Sequence, residues 1–414
     1  MTHNIFVKCD VCGCIIDLKW QIGYLPKSIF KVNCGRCKTV IEGYLYTNNK
    51  PGFNYEIKNA KEINEKFDVD CDYIIPISGE ILTEKMMSGE EQFRSTPFIN
   101  MISLIGVENF SRFNDRFLNG MEKIDLLKEK CNRINELYLN KEYKYLKKML
   151  KDDFDITIKK YNENNIMKEK LNVDILFFES FVIEDFFVMK DKMHKNYKKI
   201  RATNKKEYEK LLNFVECDIE KNERKIREVL NLFVEKYNCF IPILILEYVK
   251  PDKRINFYNN YAITTVNFEE IRNMYLKIYE NVINASTIII GLNNIMYREK
   301  YDCINNAIIN KKNSIQDYID MSKGNRIKYL EQNEFFNITI PNFDKDIRNA
   351  IGHEDIEYDA FHQKLKFDEK EESLMEYVFN IWNCYKCCLL LYEIILNIKL
   401  DIIEIKNKLN KNGE

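Results

Sequence analysis

Two cysteine pairs constrain this chain before anything else does. Cys9 and Cys12 are separated by two residues, and Cys34 and Cys37 repeat that spacing. Two intervening residues let both sulfurs of a pair point at one ion, and four thiolates close a tetrahedral shell. A segment this short has too little interior to fold on apolar burial alone, so a metal is expected to supply the missing stability. An all-cysteine shell leaves no open coordination position, so the metal is expected to be structural rather than catalytic. Gly13 and Gly35 stand beside the pairs and are expected to permit the tight turns. Cys14 is spare and is expected to be a free thiol.

These two knuckles, within residues 1–48, resemble a zinc ribbon. The resemblance implies structural Zn2+ held by Cys9, Cys12, Cys34 and Cys37, in a small β unit that docks on nucleic acid or protein. Lys8, Lys19, Lys27, Lys31, Arg36 and Lys38 give the segment a basic character, with Trp20 and Tyr24 as candidate stacking groups. The same residues also fit a solvated surface and a core.

The rest of the chain reads as helix. Only 13 glycines and 7 prolines occur in 414 residues, far below ordinary usage, so few turns are available. That disfavours Rossmann and β-sandwich folds and predicts a mainly α chain. Residues 49–95 carry turn signals and short apolar runs, and read as an irregular α/β connector. Residues 96–262 form an expected helical middle domain, and residues 263–414 a helical C-terminal one. The apolar run at 240–249, holding Pro242, is compatible with a strand or a buried helix end. Helices are expected near 268–301 and 314–331, a short helix or helix end over 342–353, a hairpin over 353–367 turning near Tyr358 and Asp359, and a one-sided amphipathic helix over 374–402. The net charge of -1 excludes a uniformly basic nucleic-acid binder but leaves room for local basic faces.

No leader pattern is visible at the N-terminus. The longest apolar run, 387–405, is broken by Glu393, Lys399 and Asp401, so no membrane partner is expected. The 13 cysteines then suit a reducing cytoplasm.

One short stretch suggests chemistry: Arg348, Asn349, Ala350, Ile351, Gly352, His353. An arginine followed by a polar residue and then a histidine, set between long helices, resembles the signature of the HEPN superfamily, helical domains that include many metal-independent ribonucleases. The resemblance covers about the last third of the chain and implies a C-terminal HEPN-like helical bundle. It also implies a catalytic set of Arg348, Asn349 and His353, no catalytic metal, and two motifs meeting across a homodimer to build one composite site. The residue chemistry agrees. RNA carries its own 2′-hydroxyl nucleophile. Histidine titrates near neutrality and serves as base or acid, and arginine holds the charge of the phosphorane-like transition state. On an ideal helix Asn349 and His353 lie about 40° apart, and Arg348 about 140° from His353, so its side chain has to curl back. Acidic neighbours Asp344, Asp346, Glu354, Asp355 and Glu357 are expected to orient these groups or to gate them until a trigger or regulatory partner arrives.

Residues 190–206 hold eight basic residues and one acid, and Lys195, Lys198, Lys199 and Arg201 are candidate RNA contacts. A solvated helical face fits the same pattern. His362 is an auxiliary candidate, with a partly buried hairpin residue as the alternative. Cys384, Cys387 and Cys388 are expected to pack in a core. No phosphate-binding loop or dinucleotide fingerprint occurs. The leading expectation is an RNA-cleaving effector of the kind used in prokaryotic defence or toxin systems. The alternatives are a non-catalytic RNA- or nucleotide-binding scaffold with a zinc-ribbon docking module, and a transcription-associated ribbon protein.

Overall fold

A computed structural model describes residues 2–47, 54–63, 70–90, 96–158, 162–305, 314–331, 335, 343–353 and 355–412. The chain is mainly α with an N-terminal β region. It forms two compact units, each assembled from three separate segments. One comprises Met1–Leu118, Glu235–Leu276 and Asp346–Trp382, and the other Asn119–Val234, Lys277–Lys345 and Asn383–Glu414. These units do not follow the linear boundaries at 48, 95 and 262, and residues 263–414 are shared between them.

The first unit holds all the described strands. β1 (Thr2–Cys9) and β2 (Ile15–Gln21) form an antiparallel hairpin. β3 (Lys27–Asn33) and β4 (Val40–Tyr46) form a second. Alternation drives the second hairpin: Phe30, Val32, Ile41 and Leu45 point inward while the intervening residues are half-exposed. The connector expected over 49–95 is more regular than its turn signals suggest. β5 (Asn54–Lys58) extends the β3–β4 sheet. β6 (Ala60–Glu62) pairs with β1, and β7 (Tyr73–Ile77) lies parallel to β2, with β9 (Met87–Ser88) at the far edge. Ala60, Ile75 and Ile77 enter the same core as Ile5, Leu18, Trp20 and Phe30. Trp20 is therefore a core residue, not a stacking surface.

α1 (Pro97–Ile105), the start of α2 (Val107–Leu139), α7 (Tyr237–Phe240), α8 (Pro251–Asn260) and the helical stretches 268–276, 346–353 and 374–382 lie in this unit too. The ambiguous apolar run becomes a buried 3-10 helix, Ile241–Tyr248. Pro242 lacks the N–H that a central strand needs but is tolerated at a helix start. β8 (Thr83–Glu84) pairs with β10 (Tyr261–Ala262). The expected hairpin is β11 (Glu357–Asp359) with β12 (Lys364–Phe367), extended by β13 (Lys370–Ser373). Its turn falls after Asp359 rather than at it.

The second unit is helical: the remainder of α2, then α3 (Tyr143–Phe154), α4 (Glu163–Glu179), α5 (Glu184–Thr203) and α6 (Lys205–Glu235). The later part of α9 (Phe268–Arg298), α10 (Ile315–Asp320), α11 (Lys323–Glu331) and most of α13 (Leu374–Asn412) complete it. Asn162 caps α4 by accepting from the Asn165 N–H at 2.8 Å, and Ser314 with Asp317 forms a capping box on α10. The stretch expected as one helix over 314–331 is thus two. α13 departs from a one-sided stripe: Leu389, Leu390, Tyr392, Ile394 and Leu396 are as buried as Cys388, Leu391 and Ile395. A helix apolar all round is a core helix. Among the described residues no single helix is long and apolar enough to cross a membrane.

Candidate functional site

The two knuckles are built alike. The Cys9 N–H donates to the Cys14 carbonyl and the Gly13 N–H to the Cys9 carbonyl, both at 2.9 Å. The Cys34 N–H donates to the Thr39 carbonyl and the Lys38 N–H to the Cys34 carbonyl, again at 2.9 Å. Each turn puts the residue after its second cysteine in the left-handed region, Gly13 at φ 71° and Lys38 at φ 61°. The second knuckle therefore uses a lysine where the first uses glycine. Gly35 answers a different need, since a Cβ there would lie 2.8 Å from the Tyr73 ring.

The turns bring together all four predicted sulfurs. Their ligand atoms lie within 4.8 Å of one another, with Cys9–Cys37 at 3.6 Å and Cys12–Cys34 at 3.5 Å. A tetrahedral ion with metal–sulfur bonds of ~2.3 Å needs sulfurs about 3.8 Å apart. The donor set thus fits a metal ion closed off from substrate. Cys14 is fully buried, and burial, reinforced by Asp72, pushes its thiol up to about 12. Several of the segment's cations are already engaged: Arg36 pairs with Asp72 at 2.6 Å, Lys19 with Asp17 at 3.7 Å, and Lys31 with Glu270.

α12 (Lys345–His353) carries the Arg348 motif. Ile347, Ala350 and Ile351 are its buried face, which turns Asn349 and His353 outward, four residues apart and both exposed. Arg348 is half-buried, and its Nη1 donates to the Asn349 Oδ1 at 3.3 Å. That nitrogen would lie 3.8 Å from a Cβ at Gly352, so the guanidinium runs forward along the helix toward the histidine turn. The helix continues through Gly352 to His353. Asp346 is paired with Lys370 at 2.8 Å, which offsets one neighbouring acid; Glu354 lies outside the described residues. His362 is exposed, and its Nδ1 meets Asp359 Oδ2 at 2.7 Å in the hairpin turn.

In the helical unit, α5 presents Lys195, Lys198 and Lys199 to solvent while Met193, Tyr197 and Ile200 face inward. Lys195 is paired with Asp191 at 2.6 Å. Among the described residues no acid pairs with Lys198 or Lys199. Arg201 is committed to Asp401 at 2.9 Å. Cys384, Cys387 and Cys388 are buried, and burial pushes the Cys387 thiol up to about 12, as core packing requires.

This unit also holds a buried ion network that leaves almost no trace in the sequence. The Lys170 Nζ meets Asp174 at 2.9 Å and Glu223 at 3.0 Å. Arg227 meets Asp174 at 3.2 Å, Lys399 meets Glu223 at 2.7 Å, and the Tyr392 hydroxyl donates to Asp174 at 2.8 Å. The Lys170–Asp174 pair, four apart on α4, was its one local sign. Glu393, the first residue to break the apolar run of α13, likewise holds Lys190 at 3.0 Å and the His194 Nε2 at 2.9 Å.

No family model, curated protein or solved structure matches the chain. What the arrangement can do rests on its own chemistry: a closed thiolate shell, and a guanidinium, an amide and an imidazole on one outward turn of α12.

Proposed function

We propose that the chain is a metal-independent endoribonuclease of the HEPN kind, an RNA-cutting effector with a structural zinc held by Cys9, Cys12, Cys34 and Cys37. The observation that carries this reading is the outward turn of α12, where Asn349 and His353 share one exposed face and the Arg348 guanidinium runs toward Gly352. An imidazole takes the proton of a ribose 2′-hydroxyl, and the oxygen attacks the adjacent phosphorus. The 5′-oxygen leaves with a proton from an acid, giving a 2′,3′-cyclic phosphate and a 5′-hydroxyl. Arg348 offsets the negative charge that grows on the phosphoryl oxygens, and the Asn349 amide steadies the guanidinium.

A turn with one histidine supplies base or acid but not both. The reading therefore includes a homodimer in which two α12 turns meet. Lys198 and Lys199, exposed on α5, suit contacts to the RNA backbone. Arg201 suits them less, because Asp401 already holds it.

The test is zinc-loaded protein incubated with single-stranded RNA and no added divalent cation. The expected products carry 2′,3′-cyclic phosphate ends, and Arg348→Ala should lose at least about 10²-fold in rate. Adding His353→Ala chains to wild type should lower activity more steeply than dilution does, and a strictly proportional fall would rule out the shared site. Binding of RNA without any cut, by wild type and variant alike, would favour a scaffold that only binds.

A further inference from the structure

A cavity of about 230 Å³ opens in the β-rich unit between the end of β2, the 78–81 loop and helices α1 and α2. It has aromatic walls and a polar floor. Tyr24 stands exposed at its mouth, and Phe98 and Phe110 meet edge to face with ring centroids 5.0 Å apart. The floor is Glu80 and Ser78, 5% and 1% exposed.

The Glu80 carboxylate accepts from the backbone N–H groups of Leu25 and Tyr24, and burial pushes its carboxyl up. Among the described residues no cation meets it. A carboxylate has about four acceptor positions, so two backbone donors leave it half satisfied. Its place is built in: a Cβ at Gly23 would fall 2.2 Å from the carboxyl carbon. Ser78 Oγ accepts from the Glu80 and Ile81 N–H groups, both at 3.2 Å, and among the described residues nothing accepts its own proton. The floor thus offers acceptors from Glu80 and a donor from Ser78.

We propose that this cavity binds a guanine base, with Glu80 accepting from the ring N–H and the amino group and Ser78 donating to the ring carbonyl. Guanine presents two adjacent donors beside an acceptor along one edge. Adenine and cytosine present an amino donor beside an acceptor nitrogen, and uracil a single N–H between carbonyls that a carboxylate repels. The size agrees, since a dry cavity of about 150 Å³ holds one benzene ring, and this one leaves room for a bicycle. Tyr24 at the mouth supplies a stacking face. The proposal does not depend on cleavage by α12.

The test is calorimetric titration of the full chain with GMP, IMP, AMP, CMP and UMP. GMP should bind at least about tenfold more tightly than AMP, and IMP, which lacks the amino group, should fall roughly tenfold below GMP. Glu80→Gln should erase that preference. Because this substitution also disturbs the clamp on the Tyr24 and Leu25 N–H groups, Tyr24→Ala serves as the second variant. Its ring is exposed, so it should melt as wild type does while binding GMP several-fold more weakly. Competition between GMP and a single-stranded RNA that does or does not contain guanine tells a free nucleotide from a base within RNA. Equal binding of the five nucleotides, no binding of GMP at millimolar concentration, or unchanged GMP binding in both variants would overturn the proposal.

Discussion

Helices α12 and α13 use polar side chains in opposite ways. α12 turns its polar residues outward: Asn349 and His353 are exposed, and the buried face is made by Ile347, Ala350 and Ile351. α13 turns its charges inward: Glu393, Lys399 and Asp401 are 1%, 6% and 7% exposed. Each of the three is paired, Glu393 with Lys190, Lys399 with Glu223 and Asp401 with Arg201. Tyr197 and Tyr208 also donate to Asp401, at 2.8 and 2.6 Å. A buried pair adds little net stability over apolar packing, but breaking one is costly, so such pairs suit the fixing of helix register. An exposed polar set adds almost nothing to stability and is available for chemistry. The comparison thus separates charges that hold α13 in place from polar groups that α12 leaves on the surface, where the proposed function would use them.

The largest expected effect lies at the thiolate shell, which shares the inward use of polar groups. Structural zinc in small sites stabilises folding by roughly 10 kcal/mol or more. Cys34→Ser should lose the metal and the β-strand signal of the N-terminal hairpins, read by metal analysis and circular dichroism. One zinc per wild-type chain is expected, and none in the variant. Next comes the buried network. Glu223→Ala leaves Lys170 and Lys399 without their shared carboxylate and should cost about 3–5 kcal/mol in urea unfolding. A cost below ~1 kcal/mol would dissolve the contrast between α13 and α12.

The same network predicts an acid limit. Burial opposes ionisation of Asp174, but Arg227 and Lys170 outweigh it and hold its carboxyl at about 2. Its unfolded value is near 3.9. A depressed folded pKa gives stability that is full above about pH 4 and is lost as pH falls toward 2, on the order of 2–3 kcal/mol for this group. Asp174→Asn should flatten the unfolding free energy across that window. The smallest effect concerns the knuckle turns. Gly13→Ala puts a Cβ at φ 71° and should cost about 1 kcal/mol, whereas Lys38→Gly at φ 61° should change stability by less than that.

What the sequence revealed followed the range of its signals. The cysteine spacing is local, and it located all four thiolates. The helical period is local too, and it located α9, α12 and α13. Strand partners were harder: β6 and β7 join β1 and β2 across stretches of chain that carry no pairing signal of their own. The ion network was largely hidden, because Lys170 and Glu223 are 53 residues apart and Lys399 and Glu223 are 176 apart. In sequence, Glu393, Lys399 and Asp401 registered only as interruptions of an apolar run. Lys38 in the left-handed turn was invisible for want of a glycine.

The contrast between the two helices is tested most directly on one preparation of His353→Ala, assayed for thermal melting and for RNA cleavage without added divalent cation. Melting within about 1 °C of wild type is expected, because an exposed side chain leaves no cavity, with cleavage lower by about 10²–10⁴-fold. Cleavage at the wild-type rate in a well-folded variant would contradict that expectation.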